Sequence, residues 1–317
     1  MPDVSILVPA YNPRYIGLAI QSAIEQVGVD FEIIISDDRN DSAIESIVQP
    51  YLSSKVRYVK NPTQGPGRNR DYLLSLAQGE FIKFLFDDDL LLNNCLSTYL
   101  KAATESNAEA VFSTLAIIDS ENNLKGAYPP VQFNVTGLLS KETFAKIFVF
   151  NRVNAIGGLS AVMVRRSFFE RERRPFAANG RSVGYLTDVA LYSNLVLADS
   201  TVVGIPGYYV AFRVHDQQTS SANNPLFAIG VVEWEIFIRQ FRQLSLLSQT
   251  EFNESLKNQC AYYAQLLPSF PSLKPFIDNL VDYELSEMRD HEFYKELSKL
   301  YETIELETGK QVVNEEY

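Results

Sequence analysis

Cysteine is nearly missing from this chain: Cys95 and Cys260 are the only two in 317 residues. Neither a disulfide framework nor a cysteine-based zinc site is supported, and a reducing, cytosolic setting fits. Nowhere do about 18 apolar residues follow one another, which excludes a membrane-spanning helix and leaves peripheral attachment open. Positive charge is also in deficit. Lys and Arg number 28 against 39 Asp and Glu, a net charge of −11 that repels polyanions and argues against nucleic-acid binding as the main task. No Gly-x-Gly-x-x-Gly follows the first apolar run and no Walker sequence occurs anywhere, so neither a dinucleotide cofactor nor a P-loop is indicated. Internal repeats and low-complexity tracts are absent. The opening residues Met1 to Pro9 carry no basic leader, and their short apolar run reads as a strand.

What is present is the composition of a soluble globular protein, with 46% hydrophobic and 21% charged residues. The first third alternates short apolar runs with helix-period segments, the pattern of strand-helix units in a mainly parallel sheet. Val4 to Val8 and the β-branched Phe31 to Ile35 read as buried strands, with Val56 to Val59 and Phe81 to Phe86 following. Between them, Ile16, Ala19, Ile20, Ala23 and Ile24 recur at helical spacing. Past Asp89 the alternation loosens, with a helix over 141–150, a strand over 160–165, a helix from about Thr187 and strands again over 202–214. From Pro225 onward the periodicity is helical. The acidic stretch Glu302 to Tyr317 reads as a fraying or interacting tail.

In parallel sheets covered by helices, ligands gather beyond the carboxyl ends of the strands. Three such ends carry unusual residues: Pro9-Ala10-Tyr11-Asn12, Ser36-Asp37-Asp38 and Asp87-Asp88-Asp89. Three adjacent carboxylates repel one another unless a cation offsets them. Mg²⁺ and Mn²⁺ suit the role, because they take one or two protein carboxylates together with phosphate oxygens. Alone, the run also reads as a solvated loop capping the next helix. Asp37-Asp38 suits hydrogen bonds from ribose hydroxyls or a base N–H, or else a plain turn. Gly65-Pro66-Gly67-Arg68-Asn69-Arg70-Asp71 feeds two guanidiniums to a helix N-terminus and favours an anion or a carboxylate. His215, one of only two histidines, closes an apolar strand and reads as a structural residue or as a metal or phosphate contact. Asp188 opens a helix, where an acid interacts favourably with the dipole.

Together these segments resemble the family 2 glycosyltransferases, inverting enzymes of the GT-A fold. Val4 to Asn12 looks like the family's opening strand, Phe31 to Asp38 its second, Arg68-Asn69-Arg70 its ARN element, and Gly79 to Leu85 with the aspartates its DXD strand. Gly157-Gly158-Leu159-Ser160-Ala161 looks like its acceptor-side loop, Thr187-Asp188 its base motif, and Arg213-Val214-His215 with Gln218-Thr219-Ser220 its R-x-H-x-x-Q-x-S segment. Two departures stand out: Phe86 occupies the first DXD position, and Thr187 replaces the acid before the base.

The resemblance implies an α/β GT-A domain over 1–224, a Rossmann-like mixed, mainly parallel sheet flanked by helices. Its nucleotide-sugar-binding half would span 1–118 and its acceptor and catalytic half 119–224, with a helical C-terminal region over 225–317. The implied reaction moves a sugar from a nucleotide-diphosphate donor, a UDP-sugar foremost, to a hydroxyl of a saccharide or glycolipid acceptor in surface polysaccharide synthesis. Asp188 would be the base, and Asp88 and Asp89, assisted by His215, would hold Mn²⁺ or Mg²⁺. Tyr11 and Asp37 would bracket base and ribose, with Pro9 and Asn12 shaping that loop and Asp87 on the donor side. Arg68 would orient Asp37 or the nucleotide, and Arg213 would face a phosphate. A cytoplasmic enzyme at the inner face of a membrane, able to pair through its C-terminal helices, follows from the same likeness. Two other classes compete. A nucleotidyltransferase would need a Gly-rich basic loop after the first strand, absent here, and a non-catalytic sugar-nucleotide-binding protein would be expected to lack the base.

Overall fold

The computed structural model describes residues 1–129, 135–218, 221, 224–280, 290–309 and 311–313. Along the chain run β1 (Val4–Ala10), α1 (Ile16–Ile24), β2 (Phe31–Asp37), α2 (Ala43–Val48), β3 (Val56–Lys60), α3 (Pro66–Leu76), β4 (Phe81–Phe84), β5 (Leu90–Leu91), α4 (Cys95–Ser106) and β6 (Ala110–Ile118). Then come β7 (Leu124–Tyr128), β8 (Gly137–Leu138), α5 (Lys141–Phe144), β9 (Val162–Arg165), α6 (Arg166–Arg171), β10 (Ala177–Ala178), β11 (Arg181–Ser182), α7 (Thr187–Leu197) and β12 (Val202–Arg213). The helices α8 (Leu226–Gln243), α9 (Gln249–Leu266), α10 (Lys274–Leu280) and α11 (Asp290–Thr308) follow. The chain divides into two compact units. The first comprises 1–139, 154–173 and 195–215, and the second 140–153, 174–194 and 216–317. The helical region expected over 225–317 is therefore joined, in the second unit, by two segments from earlier in the chain.

The first unit is built on a ten-stranded mixed sheet in the order β3-β2-β1-β4-β9-β6-β12-β5, with β7 added to β6 and β8 to β12. β1 runs parallel to both β2 and β4, and Val4, Ile6, Leu7 and Val8 are wholly buried, as expected for a central strand covered on both faces. α1 buries Ile16, Ala19, Ile20 and Ala23, the stripe its periodicity predicts. Beyond β4 the sheet turns mixed, because β9 enters antiparallel to both β4 and β6. β12 runs parallel to β6 with register shifts between Ile205 and Val210, where Pro206 and Gly207 (φ 110°) interrupt the ladder. It delivers Arg213 to the sheet end where the chain turns toward His215.

The second unit packs around α8, a helix apolar over most of its circumference. It buries Ile229, Val232, Ile236, Phe237, Ile238 and Phe241, yet also Glu233, Glu235 and Arg239. Phe144 stacks on Phe148 at 4.3 Å and on Phe241 at 5.6 Å between ring centroids. α9 opens with a capping box in which Ser248 and Glu251 satisfy each other's backbone N–H groups. The acidic stretch read as a tail is in part structured: α11 continues to Thr308 and buries Ile304, while 310 and 314–317 lie outside the described residues. Among the described residues no helix is long and apolar enough to cross a membrane.

Candidate active site

The strand order β3-β2-β1-β4 places β1 where the connections diverge to opposite sides, the position at which open α/β sheets form a ligand crevice. Two loops meet there. The Asp87 carboxylate, following β4, accepts the backbone N–H of Tyr11 and of Asn12, each at 2.6 Å, and so ties the loop after β1 to the aspartate turn. Burial, with the charge of Asp88 second, pushes the Asp87 carboxyl up to about 7 against the pull of those amides. Tyr11 remains 51% exposed, offering an aromatic face at the crevice. The Arg39 guanidinium lies 5.6 Å from its ring centroid and donates to its carbonyl at 3.3 Å. Pro9 stands in register with Ser36 on β2, and the Asn12 side chain accepts the N–H of Arg14.

Asp37 ends β2 and is fully buried. Its carboxylate accepts the N–H of Arg39 at 2.8 Å, the Tyr58 hydroxyl at 2.7 Å and the Lys60 ammonium at 2.8 Å, so protein donors already engage both oxygens. Asp38 accepts the Asn61 amide at 2.6 Å and the N–H of Gly65 at 3.1 Å. Burial raises its carboxyl above the usual range in spite of those donors. Asp38 thereby fixes the residue before α3, where Gly65 adopts φ 129° and Pro66 takes the first helical position. Arg68, half-buried, sits in that first turn.

The three aspartates point to different tasks. Asp89 is 1% exposed, and its carboxylate accepts the N–H of Arg213 at 3.2 Å and bonds the Ser160 hydroxyl. Burial and the neighbouring Asp88 charge hold it well above the carboxylate range. Asp88 is the outward member, its carboxylate 3.0 Å from Nε2 of His215. Arg213, fully buried, donates through Nε to the carbonyl of Asp88 at 2.8 Å and through Nη1 to that of Asp119 at 3.0 Å. Its guanidinium lies 4.3 Å from the Tyr15 ring centroid, and the same ring lies 5.3 Å from that of His215. Arg213 therefore braces the aspartate turn from below. The last two residues of the R-x-H-x-x-Q-x-S segment, Thr219 and Ser220, lie outside the described residues.

A divalent ion can be tested against this arrangement. Among the described residues no three His, Cys, Asp or Glu side chains form a ready ligand set. The oxygen of Asp88 and the nitrogen of His215 do converge, and an ion that also binds a diphosphate needs no more than one or two protein ligands. The residues present fit such an ion at Asp88 and His215. Asp89, with its carboxylate turned inward onto Arg213 and Ser160, supports the turn.

Two supports of the turn lie in segments the sequence singled out but were not among the expected site residues. Ser160 accepts the N–H of Phe86 at 3.1 Å while bonding Asp89. Lys83, fully buried on β4, donates to the carbonyl of Ser160 at 2.6 Å and lies 4.5 Å from the Tyr99 ring centroid. Nearby, Gly157 has φ 107°, and a Cβ there would meet the Leu115 side chain at 2.4 Å. The expected acceptor-side loop is thus held by a position that only glycine suits.

Asp188 belongs to the second unit. It stands in the first turn of α7, and its Oδ1 accepts the N–H of Val189 at 2.7 Å. Tyr185 precedes it by three residues, its hydroxyl pushed up to about 12 by burial first and then by the charges of Asp188 and Glu233.

Comparison with known proteins gives a consistent picture. The model of the family described as glycosyl transferase family 2 matches residues 5–172. The GalNAc(5)-diNAcBac-PP-undecaprenol beta-1,3-glucosyltransferase of Campylobacter jejuni is 27% identical over 286 residues, covering 86% of this chain and 86% of that protein. The UDP-Glc:alpha-D-GlcNAc-diphosphoundecaprenol beta-1,3-glucosyltransferase WfgD of Escherichia coli is 27% identical over 127 residues, 39% of this chain and 50% of that protein. Among solved structures, S. aureus TarS 1-349 in complex with UDP-GlcNAc superposes with a TM-score of 0.54 at 17% identity, spanning 97% of this chain and 92% of that one, a likeness of fold.

Proposed function

The chain belongs to glycosyl transferase family 2, and from that premise we propose that it transfers a hexosyl or related sugar from a UDP-sugar to a hydroxyl of a lipid-linked saccharide, with inversion. The observation that carries the reading is the crevice at β1, where Asp87 ties the Tyr11 loop to the aspartate turn and Asp88 faces His215. The names of the Campylobacter and Escherichia relatives support a diphosphoundecaprenol-linked acceptor, and the TarS complex supports a uridine donor. Work on such an acceptor would bring the protein to a membrane surface on the cytoplasmic side.

In this mechanism Tyr11 stacks on the nucleoside and the Asp37 loop shapes the floor beneath it. Asp88 and His215 hold the divalent ion, Mn²⁺ or Mg²⁺, which when bound supplies positive charge to the diphosphate. Arg213, Ser160 and Asp89 keep Asp88 in place. Asp188 takes the proton from the acceptor hydroxyl. The acceptor oxygen bonds the anomeric carbon from one face as the bond to the diphosphate breaks on the other, and the nucleoside diphosphate leaves with the electron pair.

The test is thermal stabilisation by a panel of nucleoside diphosphates with and without Mn²⁺, since a ligand of the native state raises the melting point. UDP stabilising above the others, and more strongly with metal, is expected. No stabilisation by any nucleotide overturns the donor reading. Turnover by Asp188→Asn at the parental rate overturns the base assignment.

A further inference from the structure

α8 carries a carboxylate where an amphipathic pattern would place an apolar side chain. Glu233 is fully buried, and an ionised carboxyl there is costly unless donors surround it. Donors do surround it. It accepts the backbone N–H of Gly184, of Tyr185 at 3.0 Å and of Leu186 at 2.7 Å, and the Tyr301 hydroxyl at 2.8 Å. Both oxygens accept, and these donors favour the charged form while burial works against it and raises the carboxyl above its usual range.

The three amides belong to the segment that starts α7. The carbonyl of Leu186 accepts the N–H of Ala190, the first bond of the helix, which makes Leu186 its N-terminal cap residue and puts Asp188 two positions further on. Cap residues more often satisfy the orphan donors of a helix with their own side chain. Leu186 has no side-chain acceptor, and the carboxylate comes instead from another helix, 47 residues away. Packing reinforces the clamp on both sides. A Cβ at Gly230, one turn before Glu233 on α8, would meet the Tyr185 ring at 2.3 Å, and one at Gly184 would meet Val312 at 2.4 Å. Val312 is itself held through its N–H by Glu305 of α11 at 2.6 Å.

We infer that Glu233 is a positioning residue for the transfer reaction: it pins the N-terminus of α7 to α8 and α11 and so fixes the backbone from which Asp188 works. This inference rests on Asp188 being the base, and it gives the C-terminal helices a part in catalysis beyond supporting the fold. The carboxylate touches no substrate and acts only through the segment 184–188.

The test uses the full chain. Glu233→Gln keeps the size of the side chain but turns an NH₂ toward backbone N–H donors, whereas Glu233→Asp keeps the charge and shortens the reach. Amide exchange at 184–186 is expected to quicken about tenfold in Glu233→Gln while the β1, β2 and β4 amides keep their protection. Turnover should fall about tenfold or more with KM for the donor within about twofold, Glu233→Asp recovering part of the loss. The double variant Glu233→Gln/Asp188→Asn should turn over no more slowly than Asp188→Asn alone, as for residues acting through one group. If Glu233→Gln fails to fold, Glu233→Asp carries the same three readouts with smaller shifts. Faster exchange at 184–186 with parental turnover overturns the inference, as does a double variant in which the two losses multiply. Asp188→Asn with parental turnover overturns the base assignment itself. The exchange measurement, which does not depend on activity, then shows whether the clamp is an anchor of the fold only.

Discussion

The carboxylate of Asp87 accepts the backbone N–H of Tyr11 at 2.6 Å, joining the ends of β1 and β4 at the crevice of the sheet. With the parallel bond from Asn12 it makes two contacts that are strongest when the carboxyl, pushed up to about 7, is ionised. Their main effect is on geometry, because Tyr11 is half exposed and these bonds, with the Arg39 contact, hold it at the crevice. Asp87→Ala is expected to weaken nucleoside-diphosphate binding about tenfold or more, read by titration calorimetry, while Asp87→Asn, which keeps an acceptor, loses less. Equal losses in the two variants would show that charge and not the tie matters.

The Asp88 carboxylate and Nε2 of His215 lie 3.0 Å apart and are the pair proposed to hold the ion. Asp88→Asn is expected to abolish the increment that Mn²⁺ adds to stabilisation by UDP, and His215→Ala to lower metal affinity about 10–100-fold. Stabilisation by UDP without metal should persist in both. An unchanged Mn²⁺ increment in Asp88→Asn would move the ion to another group.

Much of this arrangement was legible in the sequence. Apolar runs marked β1, β2 and β4, and the aspartates that follow β2 and β4 marked the crevice beyond them, because buried parallel strands leave only their ends to carry charge. Lys83 was not legible. In Phe81-Ile82-Lys83-Phe84 a single polar residue suggests a solvent-facing position, yet it is buried and satisfied by the carbonyl of Ser160, 77 residues away. Glu233 and Glu235 on α8 were hidden for the same reason, since periodicity reports burial only when polar residues lack distant partners. β9 was read as a strand, but its antiparallel entry between β4 and β6 depends on pairing that no local pattern encodes.

Lys83 gives the fold a pH dependence. Burial pushes its ammonium down to about 8 from 10.5. Between those values the folded chain has released the proton while the unfolded chain still binds it, so stability should rise with pH across this window. The full effect is about 3 kcal/mol for a shift of this size. Denaturant unfolding of the parent and of Lys83→Met at pH 8 and 10.5 checks it. The rise should shrink in the variant, and equal slopes in both would mean that Lys83 stays charged in the fold.

The strongest stability prediction lies inside the second unit, at Arg239. It is 2% exposed, donates through Nε to Glu235 at 3.0 Å, pairs with Asp290 and lies 4.8 Å from the Phe293 ring centroid. Glu235 also accepts the Tyr263 hydroxyl at 2.9 Å. Removing one partner of a buried ion pair strands the other, so Arg239→Met is expected to cost about 3–5 kcal/mol. Replacing both, as Glu235→Leu/Arg239→Met, removes the fully buried charge, leaving only the part-exposed Asp290 and the Tyr263 hydroxyl without these partners, and should cost less than the single change. The sign of the pH dependence identifies the cause. Without Arg239 the Glu235 carboxyl rises further above 4.5, and between 4.5 and that raised value the folded state binds the extra proton. Arg239→Met should therefore regain stability relative to the parent as pH falls toward 4.5, measured by urea unfolding. A loss that is the same at all pH values would trace it to missing packing against Phe293 and not to an uncompensated carboxylate.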